Sequence, residues 1–306
     1  MKRDFLALWD ISNSEIDQLL QRAVELKSGA DLNKCPLLGK SVGMIFEKPS
    51  TRTRISFEVG IYQLGGQPIY MNAEQLQLGR GEPVSDTAKV MSRYLSGVVM
   101  RTYLHSTIEE FSRHSSVPVI NGLSDLHHPC QALADLMTIY EKKGKLAGIR
   151  LAYIGDGNNV ANSLIEAAMK TGINLTLACP EGFEPDSLIL ERAKSVLASK
   201  TSGNISLLRN PREAAAMADV IYTDVWVSMG QEQDAQARRL KFKDYQINSE
   251  LLTYAKDDAI VLHCLPAHRG EEITDEVINC KNSAIFDQAE NRLHSQKALL
   301  EFLIAS

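Results

Sequence analysis

Cysteine is scarce and unpatterned in this 306-residue chain: five residues, at positions 35, 130, 179, 264 and 280. The number is odd, and no pair has C-x-x-C or another metal-ligand spacing, so neither a disulfide framework nor a thiolate metal site is expected, and a reduced, cytoplasmic protein is. Long apolar runs are missing too, which excludes a helix that spans a bilayer. The first residues, MKRDFLALWD, hold an acidic residue at position 4 and no extended apolar core, so a signal peptide is not expected. There is no basic excess: 33 Lys and Arg stand against 38 Asp and Glu, giving a net charge of −5. Nucleic acid and anionic membranes are therefore poor candidates for partners, and any anion site must be a local focus of positive charge. The sequence lacks G-x-S-x-G, H-E-x-x-H and Asp-rich metal clusters.

What remains is ordinary globular composition, 44% hydrophobic and 23% charged. The length suits two domains of about 150 residues each. Short apolar strands alternate with helical patterns along the chain. Strands are expected at 42–46, 67–71, 97–100, 117–120, 151–154, 174–179, 205–208, 220–223, 259–263 and 284–286. Helices are expected between them and over 290–303, with Ser12 and Glu15 forming a capping box at the first. Such alternation predicts an α/β protein with two doubly wound parallel-sheet domains.

The stretch that organises the chain is Ser41 to Gly65. A strand runs to Phe46, Pro49 stops it, and Ser50, Thr51, Arg52, Thr53 and Arg54 precede a helix. Helix starts present unpaired N–H groups and the positive end of the dipole, and a guanidinium adds a planar fork. This composition reads as an oxyanion clamp, with a plain N-cap and solvated arginines as the alternative. Ligands of open α/β sheets bind beyond the carboxyl ends of the strands. Polar residues gather at such ends: Arg101, His128, Asn158 and Asn159, Asp224, His263 and Cys264. Cys264 reads either as a nucleophile or as a packed thiol. The GDGNN turn matches only part of a dinucleotide fingerprint, because position 160 is Val, and its asparagines could instead hold an amino-acid carboxylate or amine.

The runs S-T-R-T-R at 50–54, H-P-C-Q at 128–131, D-V-W-V-S-M-G at 224–230 and H-C-L-P at 263–266 resemble those of the transcarbamylases. The last two are similar to the branch that uses ornithine rather than aspartate. The resemblance implies transfer of a carbamoyl group from carbamoyl phosphate to the δ-amine of L-ornithine, without metal or organic cofactor. It implies a carbamoyl phosphate-binding domain over 1–133 together with a returning C-terminal helix, 290–306, and an ornithine-binding domain over 134–289. Carbamoyl phosphate would be held by Ser50, Thr51, Arg52, Thr53, Gln77, Arg101, His128, Pro129, Cys130, Gln131, Cys264, Leu265 and Arg292. Arg52, Arg101, His128 and Cys264 would act in catalysis, and Asn159, Asp224, Ser228 and Met229 would hold ornithine. The resemblance also implies a homotrimer or a multiple of trimers, with Gln77 reaching a neighbouring subunit's phosphate, and a place in arginine biosynthesis.

Overall fold

The structure is a computed structural model, and it describes residues 2–31, 34–76, 81–197, 203–227 and 235–305. Two compact units emerge: Met1–Met137 with Glu290–Ser306, and Thr138–Ala289.

In the first unit, helix α1 (Asn13–Lys27) begins at a true capping box. Ser12 Oγ accepts from Glu15 N at 3.3 Å, and Glu15 Oε2 accepts from Ser12 N at 2.7 Å, so two orphan donors are satisfied at once. Then follow β1 (Ser41–Phe46), α2 (Arg52–Gln63), β2 (Gln67–Asn72), α3 (Val84–Met91), β3 (Gly97–Arg101), α4 (His105–His114), β4 (Val119–Leu123) and α5 (Pro129–Lys143). The four strands are parallel in the order β2-β1-β3-β4. Apolar side chains of Ile45, Val98, Met100, Ile108, Phe111 and Val119 share one core cluster. The order reverses between β1 and β3, whose ends stand level, Phe46 opposite Arg101. That reversal is the place where an open sheet splays its loops and admits a ligand.

The second unit runs β5 (Arg150–Ile154), α6 (Asn159–Thr171), β6 (Asn174–Ala178), α7 (Ser187–Leu197), β7 (Asn204–Leu208), α8 (Pro211–Ala215), β8 (Val220–Thr223), α9 (Ala235–Phe242), α10 (Ser249–Leu252), β9 (Ile260–His263) and α11 (Asp275–Ile278). Its five strands are parallel in the order β7-β6-β5-β8-β9, with the reversal between β5 and β8. The GDGNN turn leaves β5 and Asp224 follows β8, so both sit at that switch. Strands β3, β8 and β9 are buried at every position. Covered on both faces, they read as continuous apolar runs, which is why they were legible.

The expected two parallel-sheet α/β domains are therefore present. One expected strand is not. Residues 284–286 open helix α12 (Ile285–Leu300), which ends in a π-helical turn, Glu301–Ala305. Ser283 makes a single bridge to Val261, and Ala284 N donates to Val261 O at 2.9 Å before the chain turns helical. A short apolar run looks the same at a strand and at a buried helix start. Helix α9 was not foreseen, since Phe242 is its one buried residue and no apolar stripe marks it. No helix among the described residues is long and apolar enough to cross a membrane.

Candidate functional site

In the first unit, β1 delivers the chain to Pro49 and Ser50 at the sheet's switch point. Ser50 Oγ accepts from Thr53 N at 3.2 Å, so a serine just outside α2 caps it, while Thr51 at the helix boundary makes no side-chain cap. The two arginines of the motif part company. Arg54 stacks on Tyr70, 3.7 Å from the ring centroid, and pairs with Glu58 at 3.3 Å. Arg52 instead lies within electrostatic reach of His128, as do Arg101 and Arg292. His128 is buried, and its pKa sits well below the ordinary histidine value, first through desolvation and then through those three guanidinium charges. The imidazole is therefore neutral at physiological pH, amid three cations.

Arg292 is buried and ties three distant segments together. Its Nη1 donates to Gln131 Oε1 at 2.7 Å and its Nη2 to Thr53 Oγ1 at 3.1 Å. Gln131 in turn donates from Nε2 to Asp135 Oδ1 at 2.8 Å, which fixes its amide with the oxygen toward the arginine. Pro129 begins α5, a first-turn position that needs no N–H. Cys130 is turned inward: its thiol donates to Asn121 O at 3.3 Å, and burial pushes its pKa up to about 12. Lys48 is a cation the sequence reading missed. It is buried, its Nζ lies 4.5 Å from the Tyr103 ring centroid, and desolvation followed by the charge of Arg101 lowers its pKa. A lysine two residues past a strand looks like any solvated lysine, so nothing in the sequence marked it.

In the second unit, Asp224 is buried and held from three sides. Oδ1 accepts from Cys264 Sγ at 2.8 Å and from Val225 N at 2.8 Å, and Oδ2 accepts from Asn158 Nδ2 at 2.7 Å. Asn158 Oδ1 also caps α6, accepting from Val160 N at 2.9 Å and Ala161 N at 3.3 Å. Asn159, singled out from the sequence together with Asn158, is the first residue of α6 and follows this cap. Beside it, Asp156 pairs with Arg238, which also donates from Nε to Trp226 O at 2.7 Å. Burial raises the Asp156 carboxyl to about 6 against the lowering effect of Arg238, with Asp224 adding to the rise.

The H-C-L-P run is fixed by a buried relay. His263 Nδ1 accepts from Leu265 N at 2.8 Å, so Nε2 is the protonated nitrogen and donates to Glu272 Oε1 at 3.1 Å. Leu265 holds φ at +56°, a left-handed value that a branched side chain adopts only when its surroundings impose it. Asp224, His263 and Cys264 bring donor atoms within 4.8 Å of one another, a grouping that suits a metal ion in principle. Both ring nitrogens of His263 are engaged by Leu265 and Glu272, however, so this imidazole is no open ligand. The first unit thus gathers Arg52, Thr53, Arg101, His128, Gln131 and Arg292, and the second gathers Asp224 and Cys264 with Asn158. Gln77, Ser228 and Met229 lie outside the described residues.

Residues 3–141 match the model of the aspartate/ornithine carbamoyltransferase carbamoyl-P binding domain, and residues 147–303 match that of the Asp/Orn binding domain. The chain belongs to the aspartate/ornithine carbamoyltransferase family. Within that family it is 54% identical over 306 residues to the ornithine carbamoyltransferase of Syntrophus aciditrophicus, covering 99% of this chain and 100% of the relative. It is 53% identical to that of Thermococcus kodakarensis, covering 99% and 96%. Among solved structures, the ornithine carbamoyltransferase from Pyrococcus furiosus superposes with a TM-score of 0.94 at 51% identity, over 99% of this chain and 97% of that one. Arg292 falls within the range of the family's Asp/Orn binding model yet belongs to the first compact unit here.

Proposed function

We propose that the chain transfers the carbamoyl group of carbamoyl phosphate to the δ-amine of L-ornithine, giving L-citrulline and phosphate. The observation that supports this most is the set of three guanidiniums, Arg52, Arg101 and Arg292, around a neutral His128 at a sheet's switch point. Such a cluster suits a dianion that also bears a carbonyl. In this reading Ser50, Thr51, Arg52 and Thr53 hold the phosphate at the start of α2, and Arg101, His128 and Gln131 receive the phosphate or carbamoyl oxygen. Pro129 and Cys130 contribute through their backbone, since the Cys130 thiol is engaged with Asn121. Arg292 meets the carbamoyl end, as do Cys264 and Leu265.

Ornithine's δ-amine resembles a lysine amine, with a pKa of about 10.4, so it arrives mostly protonated. Asp224, with Cys264 beside it, is the group suited to bind that nitrogen and orient its neutral form. Asn159, Ser228 and Met229 hold the rest of the amino acid. The nitrogen attacks the carbonyl carbon, charge builds on the carbonyl oxygen, and Arg52, Arg101 and His128 stabilise it. The C–O bond to phosphate then breaks, and the leaving phosphate takes the amine proton.

The same reading assigns carbamoyl phosphate to residues 1–133 with 290–306, and ornithine to 134–289. It also makes the protein a cytoplasmic homotrimer of arginine biosynthesis, with Gln77 reaching a neighbour's phosphate. Exposed Ile55, Val59 and Tyr62 form a stripe along the outer face of α2, which supports contact with another copy. The deciding experiment measures phosphate release from carbamoyl phosphate with ornithine, aspartate, putrescine and N-acetylornithine in turn. Ornithine should exceed the others by orders of magnitude. Equal or faster turnover with any other amine refutes the substrate assignment.

A further inference from the structure

Glu47 is the first residue after β1, and it is half-buried. It holds the end of β3 in two ways. Its N–H donates to Arg101 O at 2.8 Å, which carries the β1–β3 ladder one step past the pairing of Phe46 with Arg101. Its side chain reaches the next turn, where Oε2 accepts from Tyr103 N at 2.7 Å. One residue at the exit of β1 therefore fixes both the carbonyl of Arg101 and the amide two residues further on.

On its other side β3 is irregular at the same point. Met100 stands opposite Asn121 in β4, but Arg101 stands opposite Leu123, so the register slips between them. A slip of this kind interrupts regular pairing and re-aims the side chain beside it. Beyond it, Thr102 N donates to Leu123 O at 3.1 Å and Asp125 N donates to Tyr103 O at 3.0 Å, which pins the turn to the end of β4. Glu47 supplies the matching hold from the β1 side. Lys48 Nζ, 4.5 Å from the Tyr103 ring centroid, packs on the same residue. Arg101 is buried, and the direction in which its side chain leaves the strand is set by this backbone.

We infer that Glu47 is a positioning residue for the reaction proposed above: its carboxylate locks the backbone of 101–103 and thereby aims the Arg101 guanidinium. The inference rests on the reading of Arg101 as a group that meets carbamoyl phosphate. Glu47 acts through Arg101, and a displacement of about 1 Å in a positioned group can cost about a hundredfold in rate. The test is a double-mutant cycle on the full chain, read as kcat/KM for carbamoyl phosphate with ornithine. Glu47→Ala should lower kcat/KM by about ten- to a hundred-fold. Its melting temperature should stay near the parent's, because water can serve the exposed Tyr103 N–H. Glu47→Gln keeps an acceptor at the same reach and should stay within about three-fold of the parent. In the Arg101→Ala background, Glu47→Ala should cost less than about two-fold more, since no guanidinium is left to aim. Hydrogen exchange over 100–106 reads the lock without substrate: it should quicken in Glu47→Ala and stay parental in Glu47→Gln. If Glu47→Ala does not fold, Glu47→Asp takes its place; its carboxylate is one methylene short of Tyr103 N, so the same coupling is expected with a smaller loss. The inference fails if the effects of the Glu47 and Arg101 substitutions add in full. It fails equally if Glu47→Gln is as impaired as Glu47→Ala, or if exchange over 100–106 is unchanged in Glu47→Ala. A parent that releases no phosphate with ornithine overturns the assigned reaction instead, and the exchange measurement still decides the lock.

Discussion

Asn158 Nδ2 donates to Asp224 Oδ2 at 2.7 Å while its own Oδ1 caps α6. One side chain therefore fixes both a helix start and the carboxylate assigned to the amine. Asn158→Ala should remove both functions. Loss of the cap should cost about 1 kcal/mol of stability, and the KM for ornithine should rise at least tenfold. Asn158→Asp keeps a capping oxygen but sets a second carboxylate against the buried Asp224, so its melting temperature should fall through charge repulsion rather than through the cap, while KM still rises. Steady-state kinetics and thermal melts separate the two effects. A parental KM in both variants would detach Asn158 from the site.

Arg52 and Arg101 are reached from different strands, β1 and β3, yet both act electrostatically on His128. If each supplies a donor to the developing oxyanion or the phosphate, losing one should raise the barrier by about 2.7–4 kcal/mol. Arg52→Ala and Arg101→Ala should accordingly lower kcat/KM for carbamoyl phosphate by roughly a hundred- to a thousand-fold. Arg54→Ala is the internal control, since Arg54 is engaged with Tyr70 and Glu58 and should retain activity within several-fold. Turnover by Arg52→Ala within a few-fold of the parent would dismiss the clamp.

His128 also makes a pH prediction on stability. Its folded-state pKa lies below the unfolded value, so on acidification the unfolded chain takes the proton first. The stability tied to the neutral imidazole is complete above the unfolded pKa of about 6.5 and is lost as pH falls below it, at no more than about 1.4 kcal/mol per pH unit for one proton. His128→Gln removes that proton. Between pH 7.5 and 5.5 the parent's melting temperature should therefore fall further than the variant's. Parallel curves would mean that His128 is not held neutral.

Much of this was legible because parallel strands buried on both faces leave unbroken apolar runs, and because S-T-R-T-R and H-C-L-P stand at strand ends. The contacts that join sites were not. Arg292 meets Thr53 and Gln131, 239 and 161 positions away in the chain, and no local pattern encodes such a meeting; the family resemblance implies a role for Arg292 at the carbamoyl end but neither of these partners. Gly157 shows a different limit. Its place in GDGNN suggested half a dinucleotide fingerprint, but a Cβ there would lie 2.2 Å from Pro185 N and 2.3 Å from the carbonyl carbon of Glu184. The glycine admits the chain's own backbone, so the position gives no support to a pyrophosphate. Lys48 escaped because its burial and its neighbours, not its residue type, make it notable.

Cys264 was open to two readings, nucleophile or packed thiol, and the geometry separates their predictions. Its Sγ is half-buried and donates to Asp224 Oδ1 at 2.8 Å, while His263 faces Glu272 and the Leu265 N–H and offers Cys264 no base. A nucleophile needs an adjacent base or a lowered pKa. A positioning role needs only a donor of similar reach. Cys264→Ser should then keep kcat within about tenfold, because its hydroxyl donates to the same carboxylate oxygen, whereas Cys264→Ala should cost roughly ten- to a hundred-fold by leaving Asp224 one donor short. A covalent role predicts instead that both variants lose nearly all activity and that rapid mixing of the parent shows a burst of phosphate before ornithine is added. Stopped-flow phosphate release and the ratio of the two variants decide between them. A serine variant as inactive as the alanine variant, together with a burst of one phosphate per chain, would make Cys264 the attacking group.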